Sequence, residues 1–162
     1  MTKFVSVIGN GESRRGFDVT PLKQITTVVG CNAMFRDHNL DYVVACDRHI
    51  CQEAVNTVGK NTTIYTRENW YKQFAYWPNV KKVPDLPYKG TKRQDEPFHW
   101  GTGQFAALVG MQFKPKAIFM LGFDLHPIEK ERVRGLQIVS CFCLLHCKSE
   151  EWSLVITHKP QT

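Results

Sequence analysis

The chain has 162 residues, 43% of them apolar and 22% charged, and its formal net charge is +6 at pH 7. This length suits one globular domain, and the composition excludes an intrinsically disordered protein. No apolar run approaches the roughly 20 residues of a membrane-spanning helix, and the first residues lack the apolar stretch of a secretory signal. We therefore expect a cytoplasmic protein with no membrane span, whose cysteines stay reduced. The charge suits any phosphorylated ligand, but the basic residues are scattered and form no nucleic-acid-binding motif, so we interpret most of them as solvated surface and do not expect nucleic acid as a partner.

Short apolar runs alternate with amphipathic stretches between residues 3 and 121. The runs that predict strands are residues 3–8, 25–29, 41–46, 62–65 and 116–121. The stretches that favour helices are residues 18–24, 49–58, 68–74 and 104–113. A polar segment rich in proline and charge predicts a long loop over residues 84–98. Continuous apolar strands separated by helices are typical of a parallel sheet, so we predict an α/β, Rossmann-like fold with a mainly parallel sheet and helices on both faces.

The pattern changes after residue 134. Half of the six cysteines lie in the segment Cys141-Phe142-Cys143-Leu144-Leu145-His146-Cys147. The apolar run there predicts a buried strand, because free cysteine behaves as a small apolar residue, and residues 152–157 predict a last strand. A zinc site is the alternative, although zinc ligands usually come in widely separated pairs. We predict a Rossmann-like domain over residues 1–134 and an atypical Cys-rich tail over residues 135–162 packed on it. An apolar edge strand also predicts self-association into a homo-oligomer.

The first predicted strand ends in the segment Gly9-Asn10-Gly11-Glu12-Ser13-Arg14. Glycines permit a ligand to approach the backbone closely, and amide groups that follow a strand can hold an anion. The third glycine, Gly16, comes two positions too late for a dinucleotide fingerprint, and Phe17 after it excludes a Walker P-loop. A tight turn and a phosphate-binding loop both remain as interpretations of this segment.

Small or polar residues also follow other predicted strands. These segments are Gly9-Asn10-Gly11, Cys31-Asn32, Asp47 and Gly122-Phe123-Asp124. The carboxyl ends of parallel strands meet at one edge of a sheet, and the helix that starts at Thr102-Gly103 can face the same edge. Ligands of open α/β sheets bind at this edge, so the pattern predicts a crevice for a nucleotide or nucleotide sugar.

With these segments in view, the chain resembles the bacterial sialyltransferases that use CMP-sialic acid. It is more distantly similar to the archaeal 6-hydroxymethylpterin pyrophosphokinase-like family. Order and spacing agree over residues 4–126, and the matching segments are residues 8–13, 30–32, 101–103 and 118–124. The sialyltransferases usually have proline where Glu12 stands. They also have a tyrosine-rich lid, whereas no tyrosine follows Tyr88 in this chain.

The resemblance implies a set of ligand-binding residues: Gly9, Asn10, Gly11, Ser13, Asn32, Asp47, Thr102, Gly103 and Asp124. Asn10 and Gly11 would contact the phosphate or ribose of the donor. Apart from the resemblance, the basic residue Arg14 is a further candidate for the phosphate. Thr102 and Gly103 would offer a hydroxyl and a backbone N–H to the phosphate or to the sugar carboxylate.

Asn32 and Asp47 each need a separate comment. Asn32 would hydrogen-bond the sugar or ribose, although a turn residue at the end of a strand explains it equally well. Asp47 stands near the position where the family has an asparagine that contacts the pyrimidine.

The resemblance implies a glycosyltransferase-like protein that binds a nucleotide sugar as its donor substrate, and for this function we assign no metal ligands. His126 is the candidate catalytic base that would activate an acceptor hydroxyl. Two alternatives stay open. One is a non-catalytic binding or assembly module of the same fold, which the missing tyrosine lid favours. The other is pyrophosphoryl transfer with magnesium held by Asp47 and Asp124.

Overall fold

The computed structural model describes residues 4–86, 100–123, 141–148 and 151–158, with the last two ranges and Ser13 described through their backbone alone. These residues contain one sheet of eight strands in the order β5-β4-β3-β2-β1-β6-β7-β8. The strands are β1 Phe4–Ile8, β2 Thr27–Cys31, β3 Tyr42–Val44, β4 Thr63–Thr66, β5 Val80–Lys82, β6 Ala117–Leu121, β7 Cys141–Lys148 and β8 Glu151–His158. Strands β1 to β6 run parallel to one another, whereas β7 is antiparallel to both β6 and β8.

Helices cover both faces of the sheet. Alternate residues of each strand point to opposite faces, and they pack against different helices in two core clusters. The α-helices are α1 Arg48–Thr57, α2 Glu68–Phe74 and α3 Thr102–Gln112. Val5 and Val7 of β1 belong to the same core cluster as Phe105 of α3. Ile8 belongs to the other cluster, which includes Phe74 of α2 and buried residues of α1. The predicted α/β, Rossmann-like fold with helices on both faces is confirmed.

The direction of the chain through the sheet reverses beside β1. From β1 the chain runs outward through β2, β3 and β4 to β5, and α1, α2 and the 3-10 helix Asn32–Arg36 between these strands pack against one face. It then crosses the opposite face through α3 and enters β6 on the other side of β1. Connections between parallel strands are nearly always right-handed. A right-handed connection toward β5 and one back toward β6 must therefore cross opposite faces of the sheet. The topological switch point therefore lies between the carboxyl ends of β1 and β6.

The structure corrects two details of the expected strands. The second strand begins at Thr27 rather than at Ile25, because the Thr26 amide donates to the carbonyl of Leu22 at 2.8 Å and continues the preceding helical turn. Ile25 is accordingly 70% exposed. Strand β5 was not expected, since two of its three residues are lysines and give no apolar run. Lysines suit this position because β5 is an outer strand, and charged residues discourage pairing with other chains.

The C-terminal segment extends the sheet as an antiparallel hairpin. Ala117 of β6 pairs with His146 of β7, and β7 pairs with β8 along their full length. The proposed division at residue 134, like most of the expected loop over residues 84–98, lies outside the described residues. None of the helices in the described ranges has the length and apolar character that a membrane span needs.

Candidate functional site

The carboxyl ends of the parallel strands form one edge of the sheet, and the expected ligand residues follow those ends. Gly9 comes directly after β1 and Asn32 directly after β2. The first turn of α3 meets the same edge, where Thr102 lies beside Cys46. The structure thus places seven expected residues at this edge: Gly9, Asn10, Gly11, Asn32, Asp47, Thr102 and Gly103. Their contact with a single ligand stays a prediction.

The loops after β1 and β6 pack against each other and against the start of α3. A Cβ atom at Gly9 would lie only 2.4 Å from the carbonyl oxygen of Gly122. A Cβ atom at Gly103 would lie 2.6 Å from Cε1 of Phe123. The first distance is to a backbone atom and the second to the ring of Phe123, so the two glycines allow the three segments to meet as they do. This contact lies at the switch point of the sheet.

Two backbone amides of the Gly-Asn-Gly segment are used within the fold. The amide of Gly9 donates to the carbonyl of Leu121, and the amide of Gly11 donates to the carbonyl of Gly122, both at 2.8 Å. These bonds continue the pairing of β1 with β6 beyond the ends of the strands. The two N–H groups are therefore committed to the protein, and a phosphate at this loop would need other donors.

The first turn of α3 offers such donors. Backbone N–H groups at the start of a helix have no partner within the helix, and they carry a partial positive charge. The amide of Gly101 is capped by the side chain of Gln104. The amides of Thr102 and Gly103 come next in the chain, at the edge of the sheet. An anion at this position would gain both hydrogen bonds and the favourable end of the helix dipole.

Arg67 contacts residues on both sides of the start of α3. Its Nη2 atom donates to the carbonyl oxygen of Trp100, and its guanidinium carbon lies 5.9 Å from the ring centroid of Phe105. A cation over an aromatic ring is attracted by the electrons of the ring face. Arg67 follows β4 directly, so the rule that polar residues follow strand ends would have identified it from the sequence. We did not include it among the expected site residues.

Thr102 and Cys46 interact beneath this edge. Thr102 is only 8% exposed, and Cys46 is 1% exposed. Burial raises the pKa of the Cys46 thiol, while the hydrogen bond from Thr102 and the nearby charge of Arg67 partly oppose that change. The side chain of Thr102 is therefore mostly buried beside the Cys46 thiol.

Asn32 combines a strained backbone with an unused acceptor. Its φ angle is +50°, a left-handed conformation that asparagine tolerates better than most residues. It begins the short 3-10 helix Asn32–Arg36, which supports the interpretation as a turn residue. Its Oδ1 atom is buried without a hydrogen-bond partner, and a buried acceptor of this kind usually finds one. A ligand donor remains a physical explanation for that oxygen.

Of the other expected site residues, the structure describes Asp47 but not the side chains of Ser13, Asp124 and His126. Asp47 is exposed and immediately precedes α1, and its carbonyl accepts the amide of Cys51 at 2.9 Å. Asp124, His126 and the side chain of Ser13 lie outside the described residues. The roles expected for those three side chains, including the catalytic role of His126, stay predictions.

A first testable prediction concerns the reactivity of the buried thiols. Burial raises the pKa of each of the free cysteines Cys31, Cys46 and Cys51. Because the thiolate is the reactive form, we expect each to react with a thiol reagent at pH 8 on the order of 100-fold more slowly in the folded chain than in guanidinium. Peptide mapping by mass spectrometry reads each site separately. Equal labelling of Cys46 in both states would contradict its burial.

Comparisons of the chain with protein families, with curated proteins and with solved structures find no match.

Proposed function

We propose that this protein binds a nucleotide or nucleotide sugar in the crevice between the ends of β1 and β6 and the first turn of α3. The observation that carries the proposal is the meeting of three segments at the switch point. Gly9 and Gly103 approach the Gly122-Phe123 segment from the end of β1 and the start of α3, and a Cβ atom at Gly9 would lie 2.4 Å from the backbone carbonyl oxygen of Gly122. Ligands of open α/β sheets bind outside the carboxyl ends of the strands at such a switch point.

The polar groups around the crevice suit different parts of such a ligand. The start of α3 supports the position of a phosphate, since helix N-termini favour anions. Asn32 follows the neighbouring strand β2, and its side-chain oxygen Oδ1 is buried without a hydrogen-bond donor. A sugar or ribose hydroxyl would supply that donor. Asp47 after β3 extends this series of polar residues further along the edge.

The nucleotide sugar that we favour is of the CMP-sialic acid type, and the protein is then glycosyltransferase-like. This part of the proposal comes from the resemblance of the sequence segments. Transfer would need a base for the acceptor hydroxyl, for which His126 is the candidate. The non-catalytic alternative shares the same ligand site, and the magnesium-dependent alternative additionally needs Asp124 beside the phosphate.

A thermal-shift panel tests the proposal. The ligands are CMP, UDP, GDP, ATP and CMP-sialic acid, each with and without magnesium, and cytidine is the control that lacks a phosphate. We expect CMP-sialic acid and CMP to raise the unfolding temperature more than cytidine does. A free ligand concentration of 100 times Kd would stabilise the folded protein by about 2.7 kcal/mol. Calorimetric titration with no heat and no shift for any nucleotide would refute the proposed function.

A matched pair of variants locates the ligand. Asn32→Gly removes the amide and keeps the left-handed backbone, and Lys114→Gly makes the same backbone change at an exposed residue after α3, where φ is +48°. Loss of a hydrogen bond to the ligand should weaken nucleotide-sugar binding about tenfold in Asn32→Gly. Lys114→Gly should bind as the parent does. Equal affinities of the two variants would remove Asn32 from the site.

Two further expectations from the sequence remain part of the proposal. We place the protein in the cytoplasm, and we propose that copies associate through the C-terminal hairpin. The position of β8 as an outer strand of the sheet supports the second expectation, because outer strands have unpaired backbone groups along one side.

A further inference from the structure

Arg14 lies against the switch point of the sheet. It is the last residue of the short 3-10 helix Glu12–Arg14, which follows the Gly-Asn-Gly segment. Its Cγ and Cβ atoms would lie 3.0 and 3.2 Å from a Cβ atom at Gly122. Gly122 has a φ angle of +68°, and both this conformation and the lack of a side chain suit glycine. The aliphatic part of Arg14 therefore packs over Gly122, beside the end of β6.

The fold leaves hydrogen-bonding capacity of the Arg14 guanidinium unused. Its Nε atom is buried and has no hydrogen-bond partner. The nearest acidic residue in the chain, Glu12, pairs instead with Arg15 at 2.8 Å. Arg15 and Glu12 are both largely exposed, whereas Arg14 is partly buried. A desolvated cationic donor without an acceptor costs free energy that an anionic ligand would recover.

We propose that the Arg14 side chain binds the phosphate of the ligand, in place of the glycine-loop amides that the sequence pattern suggests. This inference rests on the proposed function and adds the residue that supplies the charge. The amides of Gly9 and Gly11 are bonded to Leu121 and Gly122, so the loop lacks two of the donors that a backbone anion site would use. A guanidinium brings a fixed charge and parallel N–H groups that match phosphate oxygens.

The position of Arg14 also assigns a role to Gly122. A Cβ atom at Gly122 would lie 2.8 Å from the carbonyl oxygen of Gly9 and 3.0–3.2 Å from the Arg14 stem, and any side chain there would require a strained left-handed backbone. The lack of a side chain at Gly122 thus allows the stem of Arg14 to lie close to the end of β6. In the proposal, Arg14 is the residue that contacts the anion.

Calorimetric titration of Arg14 variants tests the inference. Arg14→Gln removes the charge, Arg14→Lys keeps the charge but loses the planar head, and Arg15→Gln is the control at the neighbouring exposed arginine. The probes are CMP, cytidine and inorganic pyrophosphate, and thermal unfolding confirms that each variant is folded. Lysine retains the aliphatic stem over Gly122, so this variant serves if glutamine weakens the packing.

We expect Arg14→Gln to weaken CMP and pyrophosphate binding about 10- to 100-fold and to leave cytidine binding unchanged. Arg14→Lys should fall in between, and Arg15→Gln should match the parent. If CMP binds equally to the parent and to both Arg14 variants, the inference is wrong and the proposed function stands. If pyrophosphate binds through Arg14 but no nucleotide binds, the anion site stands and the proposed function is wrong. If the parent binds neither probe, both fail.

Discussion

Replacement of Phe105 by alanine is expected to lower the free energy of unfolding by about 3–5 kcal/mol. Phe105 is 1% exposed and is the largest of the fully buried side chains in the described part of the chain. Its ring lies 5.7 Å from that of Trp100 and below the guanidinium of Arg67. The substitution removes the apolar contacts of a whole ring and leaves a cavity between α3 and the sheet. Urea denaturation followed by circular dichroism measures the loss.

Phe17→Ala is the matched control for this variant. Phe17 is 41% exposed, so the same chemical change there removes little buried area. We expect its effect to stay within about 0.5 kcal/mol, as for most exposed positions. Similar midpoints for the two variants would show that α3 does not pack on the sheet as described. Since α3 also provides the start of the proposed phosphate site, such a result would weaken the functional proposal as well.

Replacement of Gly9 by alanine is the second large effect, with an expected loss of about 1–3 kcal/mol. The new methyl group would lie 2.4 Å from the carbonyl oxygen and 3.1 Å from the carbonyl carbon of Gly122. Both are backbone atoms, so the clash cannot be relieved by rotation of a side chain. The chain must separate the loops after β1 and β6, and the bond from the Gly9 amide to Leu121 weakens with them. Nucleotide affinity should fall together with stability.

Gly59→Ala provides the comparison. A Cβ atom at Gly59 meets no other atom within 4 Å, and its φ angle is outside the left-handed region. Alanine there is expected to be neutral or to stabilise the protein by about 0.4–1 kcal/mol, because it restricts the unfolded chain. Thermal unfolding of both variants under the same conditions gives the difference. A Gly9→Ala protein as stable as Gly59→Ala would mean that the two loops are further apart than the structure places them.

The sheet itself could be predicted because its signals are local. Residues of β1 and β6 form continuous apolar runs, and α2 has the bounds expected from its pattern. Where local signals conflicted or were short, the prediction was wrong. At the start of β2, Ile25 has strand-forming character, but the turn bonded to Leu22 keeps it out of the sheet. In β5, the register with β4 makes a strand of a segment that contains two lysines.

The parallel order of the strands also predicted that the expected ligand residues would share one edge, because strands of one direction end on one side. How those residues interact is a property of the tertiary structure. Gly9 and Gly122 are far apart in the chain, and only the register of β1 against β6 assigns the amides of Gly9 and Gly11 to carbonyl partners. The same packing places the Arg14 stem over Gly122 and Thr102 beside Cys46. A sequence pattern shows which donors exist, but it cannot show which of them the fold has already used, since that depends on distances between segments that meet only when the chain is folded.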